Sequence, residues 1–138
     1  MNLRDYHDSD VASVLTLWCH CFPEVESASH FRDVIDRKRA TQPDPFLVAV
    51  ERDEVVGTAV GGMDGINGWI YLVAVQTDFR RKGIGHQLVR AVESRLVELG
   101  AIKVGLQVMS GRPDLVAFYN SLGYAIEPRE SMAKRLSP

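Results

Sequence analysis

The residues best suited to bind a ligand lie in one short turn, Arg80-Arg81-Lys82-Gly83-Ile84-Gly85. The turn follows an apolar segment and opens the longest helical pattern of the chain. The first N–H groups of a helix lack an intrahelical acceptor and lie at the positive end of its dipole. Glycine at positions 83 and 85 removes Cβ atoms, so a diphosphate can approach the backbone closely. Because cationic side chains adjoin these groups, the turn predicts a phosphate-binding site.

This turn matches neither of the two common glycine patterns of nucleotide-binding proteins. A Walker A loop needs Gly-x-x-x-x-Gly-Lys-Ser/Thr, and a dinucleotide-binding turn needs three glycines. The alternative interpretation is a basic surface turn whose two glycines serve packing. The position of the turn, between a buried strand and a long amphipathic helix, favours the phosphate site.

A second candidate is Tyr119, near the end of a helical pattern over residues 114–122. Leu115, Phe118 and Leu122 define the apolar face of this helix, and Tyr119 lies beside that face. From spacing alone, Tyr119 is interpreted as an aromatic residue at the edge of the core, with its hydroxyl in water. Spacing therefore gives it no catalytic role.

The composition bounds the class of protein. The length of 138 residues fits one domain, 1–138, and 46% hydrophobic with 25% charged residues excludes a disordered or fibrous chain. No apolar run approaches the roughly 20 residues of a membrane span, and the N-terminus lacks a signal peptide. A net charge of -2 argues against a nucleic-acid partner. We expect a small, soluble, cytoplasmic protein with neither a membrane nor a nucleic-acid partner.

The two cysteines, Cys19 and Cys21, are expected to be reduced thiols on or beside a helix. A disulfide across so short a gap would be strained. A metal site would need further ligands, and the other histidines (His7, His30 and His86) show no ligand spacing. We therefore predict no metal.

Hydrophobic periodicity predicts the elements that must position these residues, in the order β-α-α-β-β-β-α-β-α-β-β. Asp8 or Ser9 is expected to cap the first helix and Ser27 or Ser29 the second, which ends at Pro43. The later helices are predicted over 83–99 and 114–122. Strands are predicted over 3–6, 46–51, 55–63, 69–75 and 102–109, with a closing hairpin over 124–126 and 131–136. This pattern indicates an α+β sheet with helices on its faces.

With these motifs in place, the sequence resembles the GNAT family of N-acetyltransferases. Arg80-x-x-Gly83-x-Gly85 after an apolar strand resembles the acyl-CoA motif of that family, and Tyr119-x-x-x-Gly123-Tyr124 resembles its second motif. The predicted element order also matches, so the resemblance covers nearly the whole chain. Within the family, the glycine-rich turn over 61–65 is most similar to small bacterial YpeA-like acetyltransferases. The resemblance implies the GNAT fold, a mixed, mostly antiparallel sheet flanked by helices.

The resemblance implies that acetyl-CoA is the acyl-donor cosubstrate. In this family, backbone amides of the turn hold the diphosphate, and the edge of the preceding strand pairs with the pantetheine arm in a slot beside the strand at 102–109. A backbone N–H near Val75 would bind the thioester carbonyl. The positions that would bind the cosubstrate are Val73, Ala74, Val75, Arg80, Arg81, Lys82, Gly83, Ile84, Gly85 and His86.

The reaction implied is acetyl transfer to an amine, which attacks the thioester directly while both substrates are bound. Tyr119 matches the family tyrosine that is proposed to protonate the departing thiolate. A phenol with a pKa near 10 and a thiol with a pKa near 8.5 are close enough for this proton transfer. The resemblance therefore gives Tyr119 the role of general acid.

Two positions depart from the family pattern. Gln107 stands where the N-terminal acetyltransferases of ribosomal proteins have a glutamate, and Arg112 stands where an asparagine is usual. The general base is therefore open: the alternatives are Asp64, Tyr71, a water-relayed base or an amine that is already neutral when it arrives. The acceptor pocket is expected between the first two helices and the turn at 64–68, with these candidate lining residues: Trp18, His20, Cys21, Phe22 and Phe31.

Three functions remain in competition. The first is an acetyl-CoA-dependent N-acetyltransferase with a small amine acceptor, because 138 residues leave no further domain for a large partner. The second is a protein or peptide N-terminal acetyltransferase, which Gln107 disfavours. The third is a non-catalytic CoA-binding module. The departure from the family pattern at Arg112 and the lack of an evident base favour this hypothesis. Sheet edges often form dimers in this family, so a homodimer is a further expectation.

Overall fold

One mixed sheet of five strands organises the first of two units, Met1–Gln107, in the computed structural model, which describes residues 1–24 and 27–138. The strands lie in chain order, and only the last pair is parallel. Their bounds are β1 Asn2–Asp5, β2 Phe46–Glu51, β3 Glu54–Met63, β4 Gly68–Val75 and β5 Val104–Gly105. The helices of this unit are α1 Val11–Cys21, α2 Ala28–Thr41 and α3 Ile84–Glu98. The second unit, Val108–Pro138, contains α4, Pro113–Ser121.

The helix ends follow the capping rules for the most part. Ser27 caps α2 by accepting a hydrogen bond from the N–H of His30, as predicted. The predicted cap of α1 at Asp8 or Ser9 is wrong, because a 3₁₀ turn, Asp8–Asp10, precedes that helix. The Asp10 carboxylate closes this turn instead, since it accepts from the N–H of His7 and from both Arg4 guanidinium nitrogens.

The two faces of the sheet carry different helices. Alternation along β3 places Gly57 and Thr58 on opposite faces. A Cβ at Gly57 would lie 2.9 Å from Leu88 of α3, whereas Thr58 accepts a hydrogen bond from Trp18 of α1. The larger core cluster lies on the α1 side and includes Trp18, Phe31, Phe46, Val48 and Val60.

The strand predicted over 102–109 is much shorter than expected, because only Val104 and Gly105 pair with β4. A Cβ at Gly105 would lie 2.7 Å from the ring of Trp69, its partner across the ladder. The Trp69 ring therefore covers the strand where the pairing ends. Residues rich in β-propensity form a strand only where a neighbour is available to pair with them.

The closing hairpin predicted over 124–126 and 131–136 is wrong. The second unit has no strand within its described residues, and its one helix is α4. Alternation indicates a strand only when one face becomes buried. Here the alternating apolar side chains are exposed, with Ile126 at 80% and Leu136 at 91%, so pairing would bury little apolar surface. Among the described residues, none of the helices is both long enough and apolar enough to cross a bilayer.

Candidate active site

A β-bulge interrupts β4 at Leu72 and Val73. Thr58 pairs with Ala74 and Val60 pairs with Tyr71, so two residues of β4 lie opposite the single residue between Thr58 and Val60. Leu72 has φ +53°, a left-handed conformation that is unfavourable for a residue with a side chain. Bulges of this kind re-aim backbone groups and often lie beside active sites.

The other edge of β4 is open beyond this point within the first unit. On this edge the parallel ladder with β5 contains only Gly68 and Trp69, so no second strand among the described residues of this unit pairs with the part of β4 from Ile70 onward. The main chain of Val73, Ala74 and Val75 therefore lies on an edge that another extended group can pair with. The side chain of Ala74 is buried in the core, and Ala74 pairs with Thr58 of β3.

The basic turn connects β4 to α3 and contains two residues with positive φ. A short 3₁₀ turn, Thr77–Phe79, follows β4, and α3 begins at Ile84. Arg81 has φ +63° and Gly83 has φ +79°. Left-handed residues within a turn direct successive N–H groups inward and create an anion-binding concavity. No atom lies within 4 Å of the Cβ position of Gly83, so the space beside it is open.

Arg80 links this turn to the end of β4. Its Nε donates a hydrogen bond of 3.0 Å to the carbonyl oxygen of Val75. A second guanidinium nitrogen lies 3.9 Å from the Sγ of Cys21, and that thiol also lies 3.7 Å from the Val75 oxygen. Burial is the main reason that the pKa of the Cys21 thiol is raised, so the sulfur is a neutral packing group rather than a nucleophile. Both cysteines are free thiols, as predicted.

An open groove of about 510 Å³ lies between α2 and the start of β4. Trp69 and Tyr71 project into it from β4, and each is more than one-third exposed. Gln42 lines the opposite side, where its amide binds both the N–H and the carbonyl oxygen of Met63 at 2.7 and 3.1 Å. The remaining lining residues are Val34, Arg37, Lys38, Thr41, Gly62 and Asp64.

Lys38 is the buried charged side chain of this groove. It is 9% exposed, and its Nζ donates to the carbonyl oxygen of Gly61. Burial lowers the pKa of Lys38 to about 8, an effect that nearby Asp44 opposes. Lys38 was not predicted as a site residue, because it stands between Arg37 and Arg39 in a charged run that is typical of a solvated helix face.

Asp64 and Tyr71, the candidate bases, have different roles in the groove. The Asp64 carboxylate accepts from the N–H groups of Asn67 and Ile66 and from the Trp69 indole, and these bonds lower its pKa, with the Asn67 bond the largest cause. Asp64 therefore organises the turn and orients Trp69. Burial raises the pKa of Tyr71, so its phenol stays protonated at neutral pH and is a poor base.

The predicted acceptor-pocket residues are partly wrong. Trp18 and Phe31 are almost completely buried in the core, where their rings lie 5.6 Å apart, and they do not line the groove. His20 is exposed, and its ring nitrogen lies 3.3 Å from the hydroxyl of Thr77. The helical stripe that contains Trp18 is therefore a core stripe, which is the more common reason for such spacing.

Tyr119 lies on α4, which corresponds to the helix predicted over 114–122. This helix belongs to the second unit. Its ring makes edge contacts with those of Phe118 and Tyr124, with centroids 4.9 and 5.8 Å apart. Burial raises the pKa of Tyr119 to about 12, so the phenol keeps its proton across the physiological range. Arg112, at the start of this helix, binds the carboxylate of Asp114 with two hydrogen bonds of 2.9 and 3.0 Å.

Thr58 is the site residue that the sequence analysis overlooked. It is completely buried, and its hydroxyl lies 2.8 Å from both the indole nitrogen of Trp18 and the carbonyl oxygen of Leu72. The signal was one hydroxyl in a strand that is otherwise apolar after Glu54, which indicates a hydrogen-bond partner within the core.

Comparison with known proteins assigns the family. A sequence profile of the acetyltransferase (GNAT) family matches residues 11–124. An acetyltransferase of Pectobacterium atrosepticum is 33% identical over 143 aligned positions, which cover 99% of this chain and 96% of the relative. Ard1 from Thermoplasma volcanium has a TM-score of 0.80 at 27% identity, over 91% of this chain and 83% of that one.

A structure with lower identity extends the likeness in fold. The aminoglycoside 6′-N-acetyltransferase of Acinetobacter haemolyticus has a TM-score of 0.83 at 16% identity, over 99% of this chain and the whole of that one. The chain therefore belongs to the GNAT acetyltransferase family, has its α+β fold, and is an N-acetyltransferase. The resemblance read from the two motifs is confirmed at the level of the family, whose cosubstrate is acetyl-CoA.

Proposed function

We propose that this protein transfers the acetyl group of acetyl-CoA to the amine of a small acceptor. The observation that carries the proposal is the continuity of two sites in the first unit. The open edge of β4 after its bulge leads directly into the cationic turn before α3, and Arg80 joins them through the Val75 oxygen. CoA has an extended pantetheine arm with a diphosphate at one end, so it could pair with the open edge and bind the cationic turn at the same time.

The turn would hold the diphosphate through the backbone N–H groups around Arg81, Gly83, Ile84 and Gly85. Its curvature and the open space beside Gly83 support this role. Lys82 and the outer guanidinium nitrogens of Arg80 would add positive charge, and His86 would lie at the edge of the bound group. The pantetheine amides would pair with the main chain of Val73, Ala74 and Val75.

The bulge supplies a donor for the thioester. The carbonyl and N–H groups of a trans peptide point in opposite directions. Because the Leu72 oxygen accepts from the side-chain hydroxyl of Thr58, the N–H of Val73 points away from that hydroxyl. A donor in this position would stabilise the negative charge that develops on the thioester oxygen as the amine attacks.

Tyr119 would then protonate the departing thiolate of CoA. Its raised pKa keeps the phenol protonated, which a general acid needs, although it also makes the phenol a weaker acid than free tyrosine. Neither Asp64 nor Tyr71 suits the role of base, because one is held in its turn as an anion and the other stays protonated. The amine would therefore arrive neutral or lose its proton to water.

The groove beside α2 would receive the acceptor. Its aromatic wall, Trp69 and Tyr71, lies on β4 just before the bulge, and its volume of about 510 Å³ is that of a small-molecule site. A small acceptor thus agrees with the size of the groove.

Calorimetry with CoA and turnover of acetyl-CoA across a panel of small amines and N-terminal peptides test the proposal. We expect CoA to bind with micromolar affinity, and we expect Gly83→Glu to abolish binding by placing a carboxylate where the diphosphate lies. Turnover with small amines and not with peptides would support the small acceptor. Wild-type protein that does not bind CoA, or Gly83→Glu protein that binds it equally well, would contradict the proposed function.

A further inference from the structure

A buried hydrogen-bond relay connects α1 to the bulge of β4. The indole Nε1 of Trp18 lies 2.8 Å from Thr58 Oγ1, and Thr58 Oγ1 lies 2.8 Å from the carbonyl oxygen of Leu72. Trp18 and Thr58 are both completely buried. Water therefore does not compete at the indole or at the hydroxyl, while the Leu72 end of the relay is partly buried.

The chemistry of the groups fixes the direction of the relay. An indole N–H is only a donor, so the Thr58 hydroxyl must accept from Trp18. A hydroxyl has one proton, and here that proton is left for the oxygen of Leu72. Trp18 thus orients the hydroxyl, and the hydroxyl holds the Leu72 carbonyl toward the α1 face of the sheet.

The bulge needs such a restraint because of its backbone. Leu72 adopts φ +53°, and a non-glycine residue keeps this conformation only where surrounding contacts enforce it. The Thr58 bond acts directly on the peptide between Leu72 and Val73. Since this peptide is planar, fixing its oxygen also fixes the opposite N–H, that of Val73.

We propose that Thr58 is a positioning residue for acetyl transfer, with Trp18 as its support. Through the Leu72 carbonyl, Thr58 directs the Val73 N–H toward the thioester oxygen. This inference rests on the proposed function, and it adds two core residues that touch neither substrate. A valine at position 58 would fill nearly the same volume, so packing alone does not account for a hydroxyl at this place.

The test compares ligands that differ only in the acetyl group. Nitrogen-15-labelled protein is titrated with CoA and with acetyl-CoA, and the Val73 amide resonance is followed. Free CoA has no thioester oxygen, so in the wild type this resonance should move further with acetyl-CoA than with CoA. In Thr58→Val the difference should vanish while the Kd of CoA changes less than twofold. Thr58→Ser, which keeps the hydroxyl, should restore it.

Turnover gives the second readout. With an amine acceptor from the panel, kcat of Thr58→Val should fall about tenfold or more, since a misplaced transition-state contact costs rate. KM for acetyl-CoA should change far less. Val48→Ala, a buried change on β2 outside the relay, serves as the stability control and should keep both the resonance difference and kcat.

The outcomes separate the two proposals. Wild-type protein that does not bind CoA would contradict the proposed function and remove the basis of the relay. Wild-type protein that binds and turns over acetyl-CoA, together with Thr58→Val protein that keeps the resonance difference and kcat, would contradict the relay alone. If Thr58→Val does not fold, Trp18→Phe takes its place, because it removes the N–H that orients the hydroxyl. An unchanged resonance difference in that variant would equally overturn the proposal.

Discussion

The guanidinium Nε of Arg80 donates to the carbonyl oxygen of Val75 at 3.0 Å, and this bond joins the phosphate turn to the strand that precedes it. Arg80 is thus a structural residue of the turn as well as a cation beside the expected diphosphate. The oxygen that accepts this bond belongs to Val75, the last residue of β4. The bond therefore fixes the distance between the edge that would pair with pantetheine and the concavity that would bind phosphate.

Arg80→Ala should weaken CoA binding by about tenfold, because it removes both a charge and the link to Val75. Arg80→Lys should recover only part of this loss, since an ammonium lacks the planar fork that reaches two acceptors. Calorimetry at two salt concentrations measures both effects. Arg90→Ala, a change on an exposed position of α3, is the charge control. If Arg90→Ala weakens binding as much as Arg80→Ala, only general charge matters and the specific role of Arg80 is wrong.

Gly83→Ala should lower both stability and CoA affinity. Its φ of +79° is unfavourable for alanine and should cost about 1 kcal/mol of unfolding free energy, while the new methyl group occupies the open space of the phosphate site. Gly100→Ala is the matched control, because Gly100 has φ +95° and also has no neighbour within 4 Å of a Cβ. The two variants should melt at similar temperatures and differ in CoA affinity. Equal affinities would show that the space beside Gly83 is not used.

Tyr119→Phe should reduce kcat by about a hundredfold, since it removes the proton that the CoA thiolate needs. Because its pKa is about 12, the wild-type phenol is still protonated at pH 10, and kcat should show no loss from this group between pH 7 and 10. Tyr124→Phe is the control in the same unit. A wild-type alkaline decline that disappears in Tyr119→Phe would mean that this pKa is much lower, and equal activity of the two proteins would exclude the general-acid role.

Lys38 should make stability depend on pH above neutrality. Its pKa is about 8 in the folded protein and near 10.5 when exposed, so between these values the unfolded chain binds more protons. Stability should therefore rise with pH over this window, and the rise should be absent in Lys38→Met. Thermal melts at pH 7, 8, 9 and 10 measure the difference between the two proteins. Lys134→Met, an exposed change, should leave the wild-type slope intact, and an identical slope in Lys38→Met would contradict the assigned cause.

Much of the fold followed from local patterns. The helix predicted over 83–99 is confirmed as α3, because its apolar stripe and Gly100 provide both a face and an end. The hairpin between β2 and β3 is confirmed for a similar reason, since Arg52 and Asp53 form a tight turn with positive φ at both positions. These features depend on neighbours in sequence.

The features that escaped prediction depend on neighbours in space. No local pattern distinguishes the left-handed Leu72 from the other apolar residues of β4, because the bulge is held by Thr58 across the sheet. Lys38 is buried where its ammonium donates to the carbonyl oxygen of Gly61, which lies on another element. In the same way, the strand expected over 102–109 ends after Gly105, since its length is set by the pairing with β4 and not by its own composition.

The extra residue in β4 also divides the strand into two parts that obey different alternation. Trp69 and Tyr71 precede the bulge and face the groove beside α2, while Val75 follows it, at the end of the strand beside the open edge. Substitutions before the bulge can reshape the aromatic wall without altering the register of the residues after it. The wall of the groove can therefore change while the edge beyond the bulge keeps its place, whereas a single-residue deletion at the bulge would shift the register and disturb both surfaces together.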